Sequence, residues 1–285
     1  MKFQRNISLK NYTTFKIGGL SKYFFIAETK ASLIEAIRAA KKDNLPFFVL
    51  GAGSNVLIQS KGYKGLVIHV KNKESKVKKN IIYVEAGMSL ADLVKLALKN
   101  SLSGLEWAAG IPGQVGGAVF GNAGAFSKSM KDIIEEVEVF DVKKNKIVKI
   151  KKKFCRFSYR SSIFKNDPSL IILSCRIKLQ KRDNQEIKEG IQQCLDYRAS
   201  HHPKDPSAGS IFTNPKGYSA RELIDICGLK GKKIGGAQIS EVHSNFIVNR
   251  NRARSQDVLK LIELVKKTVN KKFKIKLKEE IQKIS

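Results

Sequence analysis

Two short stretches hold the side chains best suited to chemistry. In "FSYRSSIF" (157–164), Arg160 is a permanent cation among small polar and aromatic neighbours. A guanidinium in that setting suits a carboxylate or a phosphate, whose geometry its donor fork matches. An exposed ion pair on a strand accounts for the same residues equally well. In "PSAGSIFTNPKG" (206–217), Gly209 leaves room for close approach to Ser210, and Asn214 between Thr213 and Pro215 points to a rigid turn. A nucleophilic serine would need a histidine base and an acid. His201, His202 and His243 are present, but G-x-S-x-G is not, so Ser210 on its own reads as a turn serine.

Two glycine-rich loops come earlier in the chain. "VLGAGSN" (49–55) ends an apolar strand in Gly51-x-Gly53, where successive N–H groups can cradle phosphate oxygens and Ser54 and Asn55 add side-chain donors. The dinucleotide fingerprint fails because its third glycine would fall at Val56, and no Gly-Lys-Ser/Thr follows to make a P-loop. A tight turn and a ligand site remain equally open. The second loop, "WAAGIPGQVGGAVFGNAGAF" (107–126), is uncharged in a chain with 28% charged residues. Gly110, Gly113, Gly116 and Gly117 permit close backbone approach, and Asn122, Ala123 and Gly124 make a tolerant turn with one amide. The alternative is a packing segment in which two backbones touch. Two such loops in one chain favour a long ligand with a diphosphate and a flat ring.

The elements that must position these residues read as α+β. "SLIEAIRAAKKDNLP" opens with a capping pair, Ser32 and Glu35, and lines up Ile34, Ile37 and Ala40. The strand "FFVL" follows and runs into "GAGSN". "VEVFDV" and "KIVKI" form a hairpin around "KKNK", and "LIILSCRIKL" (170–179) is a buried strand. Residues 185–200 place Ile187, Ile191, Cys194 and Leu195 near one helical face. "SQDVLKLIELVKKTVNKKF" is a helix with Ser255 as N-cap and Val258, Leu261, Ile262, Val265 and Val269 in one stripe. The boundaries divide the chain into 1–75, 76–185 and 186–285.

Composition narrows the class further. The formal net charge of +29 would suit a polyanion, yet 43 of the 54 cationic residues are lysines scattered along the chain, and beyond "RNRAR" (250–254) there is no cluster of the arginines that phosphate recognition favours. A dedicated nucleic-acid function is therefore not expected. Cys155, Cys175, Cys194 and Cys227 have neither disulfide-framework nor metal-ligand spacing, so they read as free thiols in a reducing compartment, with no metal site. The N-terminus lacks an apolar signal core, and glycines with Pro112 make 107–126 a poor membrane helix. The expected location is cytoplasmic.

Taken in order, "NYTTFKIGG", "LGAGSNVLI", "AGIPGQVGGAVFGNAGAF", "YRSSIF", "AGSIFTNP", "GLKGKKIGGAQISEVHSNFIVN" and "LKEEI" (277–281) closely resemble the UDP-N-acetylenolpyruvoylglucosamine reductases across nearly the whole chain. The resemblance implies a two-subdomain FAD-binding region of the vanillyl-alcohol-oxidase type and a C-terminal α+β substrate domain. It also implies a bacterial, monomeric enzyme in which NADPH reduces noncovalent FAD and a UDP-sugar then binds. Gly51, Gly53, Ser54, Asn55, Gly113, Gly116, Gly117, Asn122, Ala123 and Gly124 would meet FAD. Reduction adds hydride at C3 of the enolpyruvyl group and a proton at C2.

The resemblance further implies that Arg160 binds the substrate carboxylate, Ser210 donates the proton, Glu280 acts beside them, and Tyr159 and Asn214 contact substrate. Two positions depart from the family pattern. Thr213 stands where a lysine or arginine is usual, and Glu279 stands where a proline is usual, which leaves Glu279 competing with Glu280 for the catalytic register. The absence of an insertion after "YRSSIF" matches the shorter of the family's two types.

Overall fold

The computed structural model describes residues 1–285. The chain forms two compact units from interleaved segments: residues 1–2, 25–52 and 67–198 make the first, and residues 3–24, 53–66 and 199–285 the second.

The first unit is built on a five-stranded antiparallel sheet in the order Lys146–Lys151, Ile134–Asp141, Leu170–Lys178, Ile81–Glu85, Ser75–Lys78. The hairpin and the buried strand expected around "KKNK" and "LIILSCRIKL" are its first three members. Both rims are lysine-bearing, "KIVKIK" on one side and "SKVK" on the other. Unpaired N–H and C=O groups at a sheet rim are templates for another strand, and lysine is a common guard against that pairing.

Helix Lys30–Lys42 buries Leu33, Ile34, Ala36, Ile37 and Ala40. It starts earlier than the Ser32–Glu35 pair suggests. Thr29 is the N-cap, and its hydroxyl accepts from Ser32 N while Thr29 N donates to the Ser32 hydroxyl. Helix Leu90–Lys99 has Ser89 as its cap and turns Leu90, Leu93, Val94 and Ala97 inward. Helix Asn184–His201 departs from its expected stripe. Ile187 and Arg198 are its buried residues, while Leu195 is exposed. The arginine is tolerated because Nη2 donates to the Trp107 carbonyl (2.9 Å) and Nη1 to that of Cys194 (3.2 Å).

The second unit contains an antiparallel sheet in the order Ser207–Ser210, Phe246–Asn249, Ala237–Ile239, Lys233–Ile234, with helices Ala220–Ile226 and Ser255–Phe273. The stripe Val258, Leu261, Ile262, Val265 and Val269 lies in one cluster with Phe15, Phe212, Ile239 and Ile247. Each such side chain contributes about 2 kcal/mol on burial. The cap of this helix lies one residue before Ser255, at Arg254, whose N–H donates to Asp257 (2.9 Å). Ser255 and Ser60 instead exchange hydrogen bonds, each backbone N–H donating to the other's hydroxyl (3.2 and 2.9 Å). Strand Gln282–Ile284 pairs in parallel with Val56–Ile58.

All four cysteines are free thiols. Burial pushes the pKa of Cys155 up to about 11 and that of Cys175 up to about 12, which keeps both protonated and unreactive at neutral pH. No helix is long and apolar enough to cross a membrane.

Candidate active site

Gly51 and residues 107–126 lie in the same compact unit. A β-carbon on Gly51 would lie 2.9 Å from Gln114 Oε1, so the two loops touch at this point. Gln114 Nε2 donates to the Val70 carbonyl (3.1 Å), while its buried Oε1 receives no hydrogen bond. His69 is hydrogen-bonded to the backbone of Leu50 and Gly51, and burial, then Lys71, lowers its pKa. A neutral imidazole thus braces the loop entry.

The glycines of the second loop divide by task. Gly116 N donates to Ala86 O (2.8 Å), and a β-carbon there would sit 2.9 Å from that of Ala86, so this glycine permits close packing. Gly113 O accepts from Leu90 N (3.0 Å). Gly117 differs from both: its N–H is unspent and a β-carbon would meet nothing within 4 Å. Both ends of the Asn122 amide are engaged, Nδ2 donating to Ser158 O (2.8 Å) and Oδ1 accepting from Lys131 N (2.9 Å). Ala123 N donates to Ala118 O (2.8 Å). Gly124 O accepts from Arg160 Nη2 (2.8 Å), which brings the arginine of "YRSSIF" onto the glycine loop. Tyr159 is exposed, and the Arg160 guanidinium lies 5.2 Å from its ring centroid.

In the other unit, Ser210 ends a strand with an irregularity between Ser207 and Ser210. Gly209 occupies it at φ +73°, with open space around its missing β-carbon. A bulge of this kind re-aims the residue that follows, and here its requirement for glycine is conformational rather than steric. The next residues are tightly held. Ile211 N donates to Asn245 O (2.8 Å), and the buried Asn245 side chain mimics a strand, accepting from Phe212 N (3.0 Å) and donating to Phe212 O (2.8 Å). On the other side, Glu280 N donates to Ile211 O (2.8 Å) and Phe212 bridges Glu279. Ser210 and Glu280 are therefore fixed to one short backbone segment. Asn214 Oδ1 accepts from Ala220 N (3.0 Å).

The remaining part of "GAGSN" joins this group. Asn55 Nδ2 donates to the Glu280 carbonyl (3.3 Å), and Asn55 O accepts from Gln282 N (3.0 Å). Gly53, at φ +65°, has no room for a β-carbon against the Tyr12 carbonyl and Thr13 Cα. Thr14 ties it to the serine strand, with its N–H donating to Gly53 O (3.2 Å) and its hydroxyl to Ser207 O (2.7 Å).

The competition between Glu279 and Glu280 has a geometric side. The Glu279 carboxylate is paired with Lys283 (2.8 Å) and Lys266 (3.2 Å). Burial raises its pKa, but the hydrogen bonds from the two lysines outweigh that and hold it below the ordinary carboxylate value. Glu279 is thus a charged structural tie, while Glu280 follows the Asn55 contact. Nearby, His243 packs edge-on against Phe246 and 6.0 Å from His202. Burial, then Arg221 and His202, push its pKa down to about 4.

The donor set suits an anionic ligand. In the first unit the N–H groups of Ala52 and Gly117 donate no hydrogen bond within the protein; in the second, those of Gly53, Ser54 and Asn55 donate none. Unspent backbone donors beside glycine are what a pyrophosphate requires, and the Gln114 acceptor adds a place for a ligand hydroxyl or amine. These residues fit FAD. The sequence reading did not single out Gln114, Asn245, Thr14 or Ser162. Their motifs lie within the quoted stretches, but a side chain hydrogen-bonded to backbone leaves no periodicity to detect.

Residues 21–151 match the FAD binding domain family, and residues 201–284 match the family described as UDP-N-acetylenolpyruvoylglucosamine reductase, C-terminal domain. With the cradle above, these define a FAD-containing oxidoreductase. The UDP-N-acetylenolpyruvoylglucosamine reductase of Clostridium novyi is 40% identical over 99% of this chain and 92% of its own length. That of Caldanaerobacter subterraneus is 40% identical over 99% of this chain and 93% of its own. The crystal structure of the reductase from Thermus caldophilus superposes with a TM-score of 0.86, at 37% identity and with 100% of both chains covered. The chain belongs to the UDP-N-acetylenolpyruvoylglucosamine reductase family.

Proposed function

We propose that the protein reduces UDP-N-acetylglucosamine enolpyruvate to UDP-N-acetylmuramate, a step of peptidoglycan precursor synthesis, in the bacterial cytoplasm and as a monomer. The observation that carries this reading is the full-length relationship, 40% identity over 99% of the chain, to a reductase of that name. NADPH is the electron source, and bound FAD supplies the two-electron chemistry that connects it to the sugar. Within the first unit, the unspent amides of Ala52 and Gly117 would bind the cofactor's pyrophosphate.

The chain's own groups handle charge and protons. Reduction at C3 builds negative charge at C2 and on the adjacent carboxylate. Arg160 binds that carboxylate and stabilises the enolate-like state, because a preorganised cation acts where charge develops. Ser210 gives the proton to C2. Its hydroxyl is a weak acid, so the transfer works because the developing carbanion is far more basic. Glu280 works beside the same charge and must carry a proton, since a second carboxylate would repel it. Tyr159 and Asn214 contact the substrate. The scattered lysines serve no specific nucleic acid.

The test is anaerobic stopped-flow absorbance of the flavin through both half-reactions. The expected outcome is a yellow protein bleached by NADPH and recoloured by the enolpyruvyl UDP-sugar. A protein that does not retain added FAD, or that is not recoloured by the sugar, overturns the proposal.

A further inference from the structure

We infer that Asn122 and Ser162 are positioning residues for Arg160, acting in the substrate half-reaction without touching substrate. The inference rests on Arg160 having the role proposed above.

Ser158 and Ser161 exchange both backbone hydrogen bonds, Ser158 N to Ser161 O (3.0 Å) and Ser161 N to Ser158 O (3.2 Å). They close a two-residue turn with Tyr159 and Arg160 at its tip. Arg160 has φ +54°, so the functional arginine occupies a turn position where glycine or asparagine is the usual residue. A residue with a β-carbon stays in that conformation only where its surroundings over-determine it.

Both stems of this turn are pinned to the same short segment. Asn122 Nδ2 donates to Ser158 O (2.8 Å) on one side. On the other, the fully buried Ser162 hydroxyl donates to Phe120 O (2.6 Å) and accepts from Lys165 N (3.4 Å). The Lys165 ammonium closes over the tip by donating to Arg160 O (3.1 Å). The segment that supplies the two pins also supplies Gly124 O, which receives the guanidinium. Backbone and head group of Arg160 are thereby referenced to a single stretch, 120–124, within the glycine loop.

The experiment follows the flavin half-reactions in holoenzyme carrying Ser162→Ala, with and without Arg160→Ala. Misplacement of a catalytic group by about 1 Å costs on the order of 100-fold. Ser162→Ala is expected to slow reoxidation by the enolpyruvyl UDP-sugar about 10- to 100-fold, with flavin content and reduction by NADPH unchanged. In the Arg160→Ala background it should add less than about 2-fold. Should Ser162→Ala fail to fold, Ser162→Cys fills the same space, weakens only the hydroxyl's bonds to Phe120 O and from Lys165 N, and reads the same quantity. Independent, multiplying effects in the double variant, or equal losses in both half-reactions, overturn the inference. Arg160→Ala reoxidising at the wild-type rate overturns the role of Arg160 itself and the inference with it.

Discussion

Arg160 and Ser210 both need a left-handed backbone, and the two units meet that need differently. Beside Ser210 the conformation falls on Gly209, at φ +73°, and the serine keeps ordinary strand geometry. At Arg160 the functional residue carries the positive φ itself, +54°, and glycine is not an option because the side chain is required. The first solution needs little support beyond a strand ladder and the Asn245 amide. The second gathers hydrogen bonds from Asn122, Ser162 and Lys165. A chemical group next to a bend can therefore be held cheaply, while one on the bend recruits side chains whose only task is geometry.

The largest expected effect tests the serine side. Ser210→Ala should slow flavin reoxidation by the enolpyruvyl sugar by about 10²- to 10⁴-fold, the usual worth of a positioned proton donor, and leave reduction by NADPH nearly intact. Stopped-flow traces of the two steps read it directly, and equal loss in both would make Ser210 structural. Glu280→Ala belongs to the same class of effect. Glu279→Gln should alter turnover by less than about 2-fold, since its carboxylate is engaged by Lys266 and Lys283, and steady-state kinetics of the pair decide which glutamate works.

Next comes the support. Asn245→Ala strands the N–H and C=O of Phe212, and an unsatisfied buried group costs about 1–3 kcal/mol. Urea unfolding should show a loss near the upper end of that range. Gly209→Ala should cost less, about 1–2 kcal/mol, because its new β-carbon meets nothing and only the backbone is penalised. If Gly209→Ala proved the more damaging of the two, the contrast drawn between the bends would fail.

The smallest effect is a pH dependence. Folding pushes the His243 pKa down to about 4 from the ordinary imidazole value of 6.5, so the unfolded chain takes up the proton first as pH falls. The stability it confers is complete above about pH 6.5 and declines as pH drops towards about 4. Denaturation midpoints measured across that window should fall less steeply in His243→Gln than in the parent.

Much of this was legible in the residues. The helices announced themselves through apolar spacing, as at Val258–Val269, and the lysine-flanked hairpin through alternation. Helix starts were off by a residue or a turn because several hydroxyls compete to cap, as with Thr29 against Ser32. The motif residues located both bends, and the conformations did not show, because nothing in "YRSS" marks an arginine as left-handed. Ser162 and Asn122 were visible as letters but not as clamps, since their partners are backbone atoms that any sequence supplies.

The interleaving of the two units also sets an order of events during synthesis. Residues 25–52 and 67–198 cluster together, whereas Val56–Ile58 wait for Gln282–Ile284, and Asn55 waits for Glu280 and Gln282. At about 5–20 residues per second, the ribosome takes roughly 10–50 s to make the intervening chain. Through that interval the Gly53–Asn55 turn has no finished frame. A chain that stops before Gln282 leaves Val56–Ile58 without a parallel partner and Asn55 without its bond from Gln282, so the loop that carries Gly53–Asn55 loses its frame.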